Sequence, residues 1–329
     1  MATTTTTVPS AGPAVGSCSF LSRLREGDEI ARMITFLFAA SVVLVTLLLV
    51  FELWQGSVLP RHKFGFDFFR TSVWDPIFGQ FGALPFIYGT LVTAAVSLII
   101  AVPLGIGAAI FLAELAPARV SDTLEFFIDL LAAVPSVIYG LLGVFIVVPL
   151  MRQYVQPALK HSLGFLPLFQ GPAYGVGFLT AGIVLAIMVI PYIISVSREV
   201  LLSVPRDQRE AALSLGSTRW ESTWKVVVPF ARSGIFGSIF LALARALGET
   251  MAVTMVIGNS PVISASLFSP GYSIAAVIAN EFSEASGDLY LESLIELGLV
   301  LFILTFVLNG LARLLIVATS QRGSGMSHA

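Results

Sequence analysis

Apolar residues in this chain fall into six long runs separated by polar, charge-bearing connections. A hydrocarbon core about 30 Å thick takes about 20 residues of helix to cross. Six runs meet that length: Ile34–Phe51, a stretch within Leu84–Ala113, Leu130–Met151, a stretch within Gly175–Ser197, Ser233 to about Ile257, and Leu294–Val317. Asp129 stands at the edge of the third run, and Arg245 and Glu249 interrupt the fifth. Pro85, Pro103, Pro135, Pro149 and Pro191 fall within or beside these runs, as membrane helices allow when neighbouring helices and hydroxyl side chains satisfy the freed carbonyls. The pattern predicts an all-α polytopic membrane protein with six transmembrane helices over residues 34–317. Residues 1–33 are expected to form a disordered tail, Met1–Ser19, and a surface helix, Phe20–Arg32. Residues 318–329 read as a short tail. The charges from Arg23 to Arg32 leave no apolar core for a signal peptide.

Composition agrees. Hydrophobic residues make up 56% of the 329 residues and charged residues 12%, with a mean hydropathy of +0.91. Soluble domains carry about 25% charge, so an ordinary soluble enzyme and a nucleic-acid-binding arm are both excluded. The net charge is −2 and there is one cysteine, Cys18, which rules out an internal disulfide or a cysteine metal cluster. His62, His161 and His328 are isolated, so no metal or catalytic histidine site is expected. No cofactor is implied. There is no zinc-protease or serine-hydrolase motif, and none of the three lysines follows a P-loop pattern, so ATP is not expected to bind this chain in the P-loop manner.

Basic residues set the expected orientation. With the N-terminus inside, 12 Lys and Arg fall in cytoplasmic segments and 5 in external loops, Arg245 lying within the membrane. Both termini are therefore expected in the cytoplasm. The last external loop has no basic residue and carries Glu281, Glu284 and Asp288; a solvated face is the simpler reading of it, a contact with an external protein the other. No external segment is long enough for a domain of ordinary size.

Between spans four and five the chain reads SVPRDQREAALSLGSTRWESTWKVVVP, residues 203–229. Pro205 suits the first turn of a helix running to about Leu215, and Gly216 suits the left-handed residue that ends it. Thr218 to Glu221 is a capping-box pattern for a second helix, and Pro229 opens the next span. Two short helices joined at a glycine make a rigid knob, more organisation than a plain connection needs. Arg206, Arg209 and Arg219 could pair with acidic groups on a partner.

Arg245 and Glu249 are spaced i,i+4, which in a continuous helix places them on one face. Charges at such depth must meet protein or water, and Ala242, Ala246, Gly248 and Ala252 keep that region narrow. Two readings stand: a self-neutralising ion pair that pins helix packing, or a substrate path in which the planar guanidinium meets an oxyanion and the glutamate accepts a hydrogen bond from a protonated one.

The knob resembles the EAA loop of ABC-importer permeases: Glu210-Ala211-Ala212, three residues, Gly216, nine residues, then Val226-Val227-Val228-Pro229, with Val226 and Val228 where the family has Ile and Leu. Ala242–Ala252 resembles the signature of the phosphate-specific permeases, as does Ala132–Gly140 in span three, and the resemblance extends over roughly Ile34–Val317. Of the two related phosphate permease subunits the chain is more similar to the C-type (PstC). The resemblance implies a type I ABC-importer permease fold in the plasma (inner) membrane. It implies a second homologous permease as heterodimer partner, an ATPase dimer docked through Glu210, Ala211, Ala212 and Gly216, and an external phosphate-binding protein. It also implies a phosphate path through Arg245 and Glu249. Another oxyanion (phosphonate, sulfate or molybdate) is the alternative cargo. An ion-coupled secondary transporter is the alternative class; such proteins often show internal repeats, and none is evident here. Asp129 reads as an interfacial helix-end acid before a path residue, and Ser136 and Tyr139 could line the path or bond to backbone near Pro135.

Overall fold

The structure, a computed structural model, describes residues 28–324, with side chains described for 30–314. The tail Met1–Ser19 and nearly all of the surface helix expected at Phe20–Arg32 lie outside the described residues, as do Cys18 and His328. Among the described residues the chain is helical, with no strand beyond one isolated bridge between Asp75 and Gln80. It divides into two units at Glu52 and Leu53.

Helix α1 (Asp28–Gln55) carries the first span. A short helix α2 (Val58–Phe64) follows. Helix α3 begins at Leu84, with Pro85 in its first turn, and continues through a π turn to Leu115. Then come α4 (Ala118–Ala132), α5 (Ser136–Leu163, with two π turns), α6 (Phe178–Leu202), α7 (Arg206–Ser214), α8 (Arg219–Gly248), α9 (Met251–Ile257), α10 (Ile274–Glu281) and α11 (Asp288–Ser324). Among the described residues, six helices are long and apolar enough to cross a membrane.

Several boundaries differ from expectation. The third span begins at Ser136, not Leu130, and runs on to Leu163. Pro135 disfavours helical backbone in the residue before it, so the chain breaks at 133–135. Leu130 belongs instead to amphipathic α4, whose Phe126 and Phe127 are exposed. The fifth span begins at Arg219 and stops at Gly248, where a helix of 30 residues gives way to a bend. The last helix continues through Ser324, past Val317.

Helix α6 is the hub, and its buried side chains run from Phe178 to Leu201. Its neighbours approach closely through glycine. A methyl group on Gly105 of α3 would lie 2.7 Å from Cγ2 of Ile193, and Gly182 and Gly234 face Val96 and Val200 as tightly. Across α6 and α8, the Ser197 and Ser238 hydroxyls share a buried hydrogen bond of 2.7 Å, the kind of polar contact that joins helices where apolar burial offers no preference over lipid. At the end of the bundle where α11 begins, Trp74 and Tyr290 both donate to Oε2 of Glu281, at 2.8 and 2.7 Å. Glu281 is thus an internal acceptor, while Glu284 and Asp288 are exposed.

Candidate functional site

The run Ala242–Ala252 is not one helix. Arg245 sits in the last turn of α8, Glu249 is extended (φ −71°, ψ 126°), and α9 starts at Met251. The continuous i,i+4 face expected for Arg245 and Glu249 is therefore absent. The bend is stabilised by its own side chains: Glu249 Oε1 accepts from the Ala252 amide at 3.3 Å, and Thr250 Oγ1 donates to the Gly248 carbonyl at 3.3 Å. A carboxylate at the start of α9 also meets the favourable end of that helix's dipole.

The internal ion pair is absent as well. The ion pairs among the described residues are Arg198–Glu125, Arg209–Glu114 and Lys225–Glu221. Arg245 is exposed within this chain, and its guanidinium stands 5.8 Å from the Tyr192 ring of α6. That is cation–π distance. Sequence reading missed Tyr192, because nothing in the linear pattern joins residue 192 to residue 245.

The two segments singled out from the sequence meet in space. Gly140 of α5 lies against α9 so closely that a methyl group there would be 2.5 Å from Sδ of Met255 and 3.2 Å from Cα of Ala252. Tyr139 is buried, and its hydroxyl donates to the Leu131 carbonyl at 2.8 Å, bridging the break at Pro135. Of its two expected roles, the backbone one is seen. Asp129 accepts from Ser195 Oγ at 3.4 Å, linking α4 to α6.

The knob follows the sequence closely. Helix α7 ends at Ser214, and Gly216 has φ +86°. Thr218 opens α8 with a complete capping box: the Glu221 amide donates to Thr218 Oγ1 at 3.2 Å, and the Thr218 amide to Glu221 Oε2 at 3.0 Å. Glu210, Ala211 and Gly216 are exposed and Ala212 is half-buried. Leu215 is 89% exposed, a large apolar side chain at the tip of a polar connection.

Arg209 differs from expectation. It donates to Glu114 Oε1 from Nη2 at 2.9 Å and Nε at 3.2 Å, and to the carbonyls of Val204 and Leu201 at 2.6 and 2.8 Å. It fastens the knob to the end of α3 rather than reaching for a partner. Arg206 and Arg219 remain exposed. Sequence reading missed Glu114 because it lies 95 residues away.

Residues 101–320 match the family model described as "Binding-protein-dependent transport system inner membrane component". The chain is 46% identical over 290 residues to "Phosphate transport system permease protein PstC" of Mesorhizobium japonicum, covering 86% of this chain and 89% of that protein. It is 48% identical over 294 residues to the protein of the same name from Xylella fastidiosa strain Temecula1, covering 87% and 90%. A "Probable phosphate transport system permease protein PstC" of Methanocaldococcus jannaschii is 39% identical over 293 residues, covering 87% and 92%. Among solved structures, a chain of a bacterial alginate ABC transporter bound to its periplasmic protein aligns with a TM-score of 0.57 at 14% identity, over 90% of this chain and 96% of that one. A chain of the inward-facing MetNI methionine ABC transporter aligns with a TM-score of 0.53 at 16% identity, over 75% and 99%. At such identities the likeness is one of fold.

Proposed function

We propose, from the premise that the chain belongs to the family of binding-protein-dependent transport system inner membrane components and within it to the PstC phosphate permeases, that it is a membrane-spanning subunit of an ATP-driven phosphate importer. The single observation that carries the mechanism is the pairing of an exposed, internally braced knob with an exposed arginine at the far end of the same helix, α8. The knob is the docking element for a separate ATPase dimer. Glu210, Ala211 and Ala212 present the docking face, Gly216 makes the turn, and Leu215 supplies the apolar contact.

Arg245 faces out of this chain, toward a second, homologous permease subunit with which it forms a heterodimer, so the anion path lies between the two. There the guanidinium meets phosphate with two parallel donors, and the Tyr192 ring holds it in place. Glu249, fixed at the bend, accepts from the hydroxyl of a protonated phosphate and opposes a fully ionised anion. An external phosphate-binding protein delivers the cargo to the face opposite the knob. Both termini lie in the cytoplasm of a cell bounded by the plasma (inner) membrane, in keeping with the charge asymmetry of the loops.

The test is Arg245→Gln with Glu249→Gln, measured as radiolabelled phosphate uptake into vesicles per assembled complex. Assembly is expected to persist and uptake to fail. Near-native uptake by the double variant would remove both residues from the path. Arg245→Lys retains the charge but not the planar fork, and is expected to assemble and transport poorly.

A further inference from the structure

A second site lies away from the bend and the knob. Trp54, α2 and the first half of α11 enclose a cavity of about 330 Å³ with almost wholly apolar walls, Phe66, Leu299 and Ile303 among them. Two charged side chains line it: Arg61 from α2 and Glu296 from α11. Glu296 is 2% exposed, and its Oε2 has no hydrogen-bond partner. A carboxylate left so is costly in a membrane-spanning helix, which points to an occupant that supplies a donor.

Arg61 does not supply it. Its Nε donates to the Ser57 carbonyl at 3.0 Å, its Nη2 donates to the Trp54 carbonyl, and its guanidinium lies 3.8 Å from the centre of the Trp54 ring. It is within electrostatic reach of Glu296 but forms no ion pair with it. Glu292, one turn earlier on α11, accepts from the Leu59 amide at 2.7 Å and is engaged in holding α2. The cavity therefore presents one fixed cation and one unsatisfied carboxyl group in an apolar enclosure. Phe66, 86% exposed, stands at its edge.

That pattern has a chemical complement. We infer that the cavity binds the headgroup of an aminophospholipid, its ammonium donating to Glu296 and its phosphate meeting Arg61, with the acyl chains along the apolar wall. The volume suits a headgroup and the first part of its chains, not a whole lipid. A phosphatidylglycerol headgroup offers the phosphate without the ammonium, and a free phosphate ion offers neither the ammonium nor the apolar body. The inference does not depend on what the chain transports.

The experiment uses the full chain, extracted from nanodiscs of equimolar phosphatidylethanolamine and phosphatidylglycerol and examined by native mass spectrometry. The native chain retains phosphatidylethanolamine in preference. Glu296→Gln preserves the side-chain shape and lowers that retention about tenfold, the loss of one charge-assisted contact, leaving phosphatidylglycerol retention unchanged. Arg61→Gln lowers both. Three results would each overturn the inference: unchanged phosphatidylethanolamine retention in Glu296→Gln, equal retention of the two lipids by the native chain, or displacement of the lipid by inorganic phosphate alone. The last two need no variant, so a Glu296 substitution that fails to fold leaves the inference testable.

Discussion

Gly216 offers an unusually clean perturbation of the knob. Its φ is +86°, and a Cβ built there meets nothing within 4 Å. A Cβ placed there therefore acts through backbone preference, with no clash inside the chain. Holding an L-residue in left-handed backbone costs about 1–2 kcal/mol relative to the right-handed form. Asparagine pays least because its side chain bonds locally, and a β-branched residue pays most. One to two kcal/mol is a factor of about 5–30 in the population of the native turn. The expected order of effect is Asn, then Ala, then Val. The assay is co-purification of the ATPase with the full complex, together with ATP hydrolysis driven by the loaded binding protein. Amount of membrane-inserted chain serves as the control, since residues 178–202 and 228–248 do not depend on the turn. Equal coupling in all three variants would refute the reasoning, because the turn would then be irrelevant to docking. Loss in all three to the same degree would also refute it, since a steric or sequence-specific contact, not φ, would be responsible.

Arg209→Gln removes the brace between α7 and α3, whose carboxylate Glu114 is itself only 10% exposed at the side chain. Stranding that buried charge should lower thermal stability in detergent by about 3 kcal/mol and weaken ATP-coupled transport. Glu114→Gln with Arg209→Gln should recover most of the stability but less of the coupling, which differential scanning fluorimetry and uptake would separate. Gly105→Ala places a methyl 2.7 Å from Cγ2 and 2.9 Å from Cβ of Ile193, atoms close to the α6 backbone that cannot swing away. It should destabilise the bundle by about 1–3 kcal/mol, read as a lowered unfolding midpoint, and Ile193→Val, which keeps both Cβ and Cγ2, should not rescue it.

The spans were legible because hydropathy is a property of composition over about 20 residues, and the knob was legible because caps are local chemistry. Thr218, Glu221 and Gly216 each act within four positions of themselves. The breaks were harder. Around Gly248 the same averaging that reveals a span hides a bend, although Gly248-Glu249-Thr250 has the makings of a helix end followed by an acid at a helix start. Pro135 was visible, yet was read as a tolerated interruption when it is the start of the helix. Long-range partners had no local signature at all. Tyr192 beside Arg245, and Glu114 beside Arg209, are joined only by the packing of α6 and α3. Glu296 passed unnoticed because one acid among many apolar residues barely lowers the hydropathy of its span.

Helix α8 has a mechanical meaning apart from its chemistry. It is one continuous helix from the knob to the bend, preceded by the left-handed turn at Gly216 and followed by the extended Glu249. Arg219 and Arg245 are separated by 26 positions, or about 39 Å of helix. Helix α9 is anchored, with Ala252 wedged against Gly140 of α5. Were this helix to move as one rod, a tilt of about 10° imposed at the knob would carry the guanidinium through about 7 Å by the same length. A π turn at Thr223–Val227 lies between the knob and the rest of the helix, so a substitution that removed it would test whether that length moves as one body.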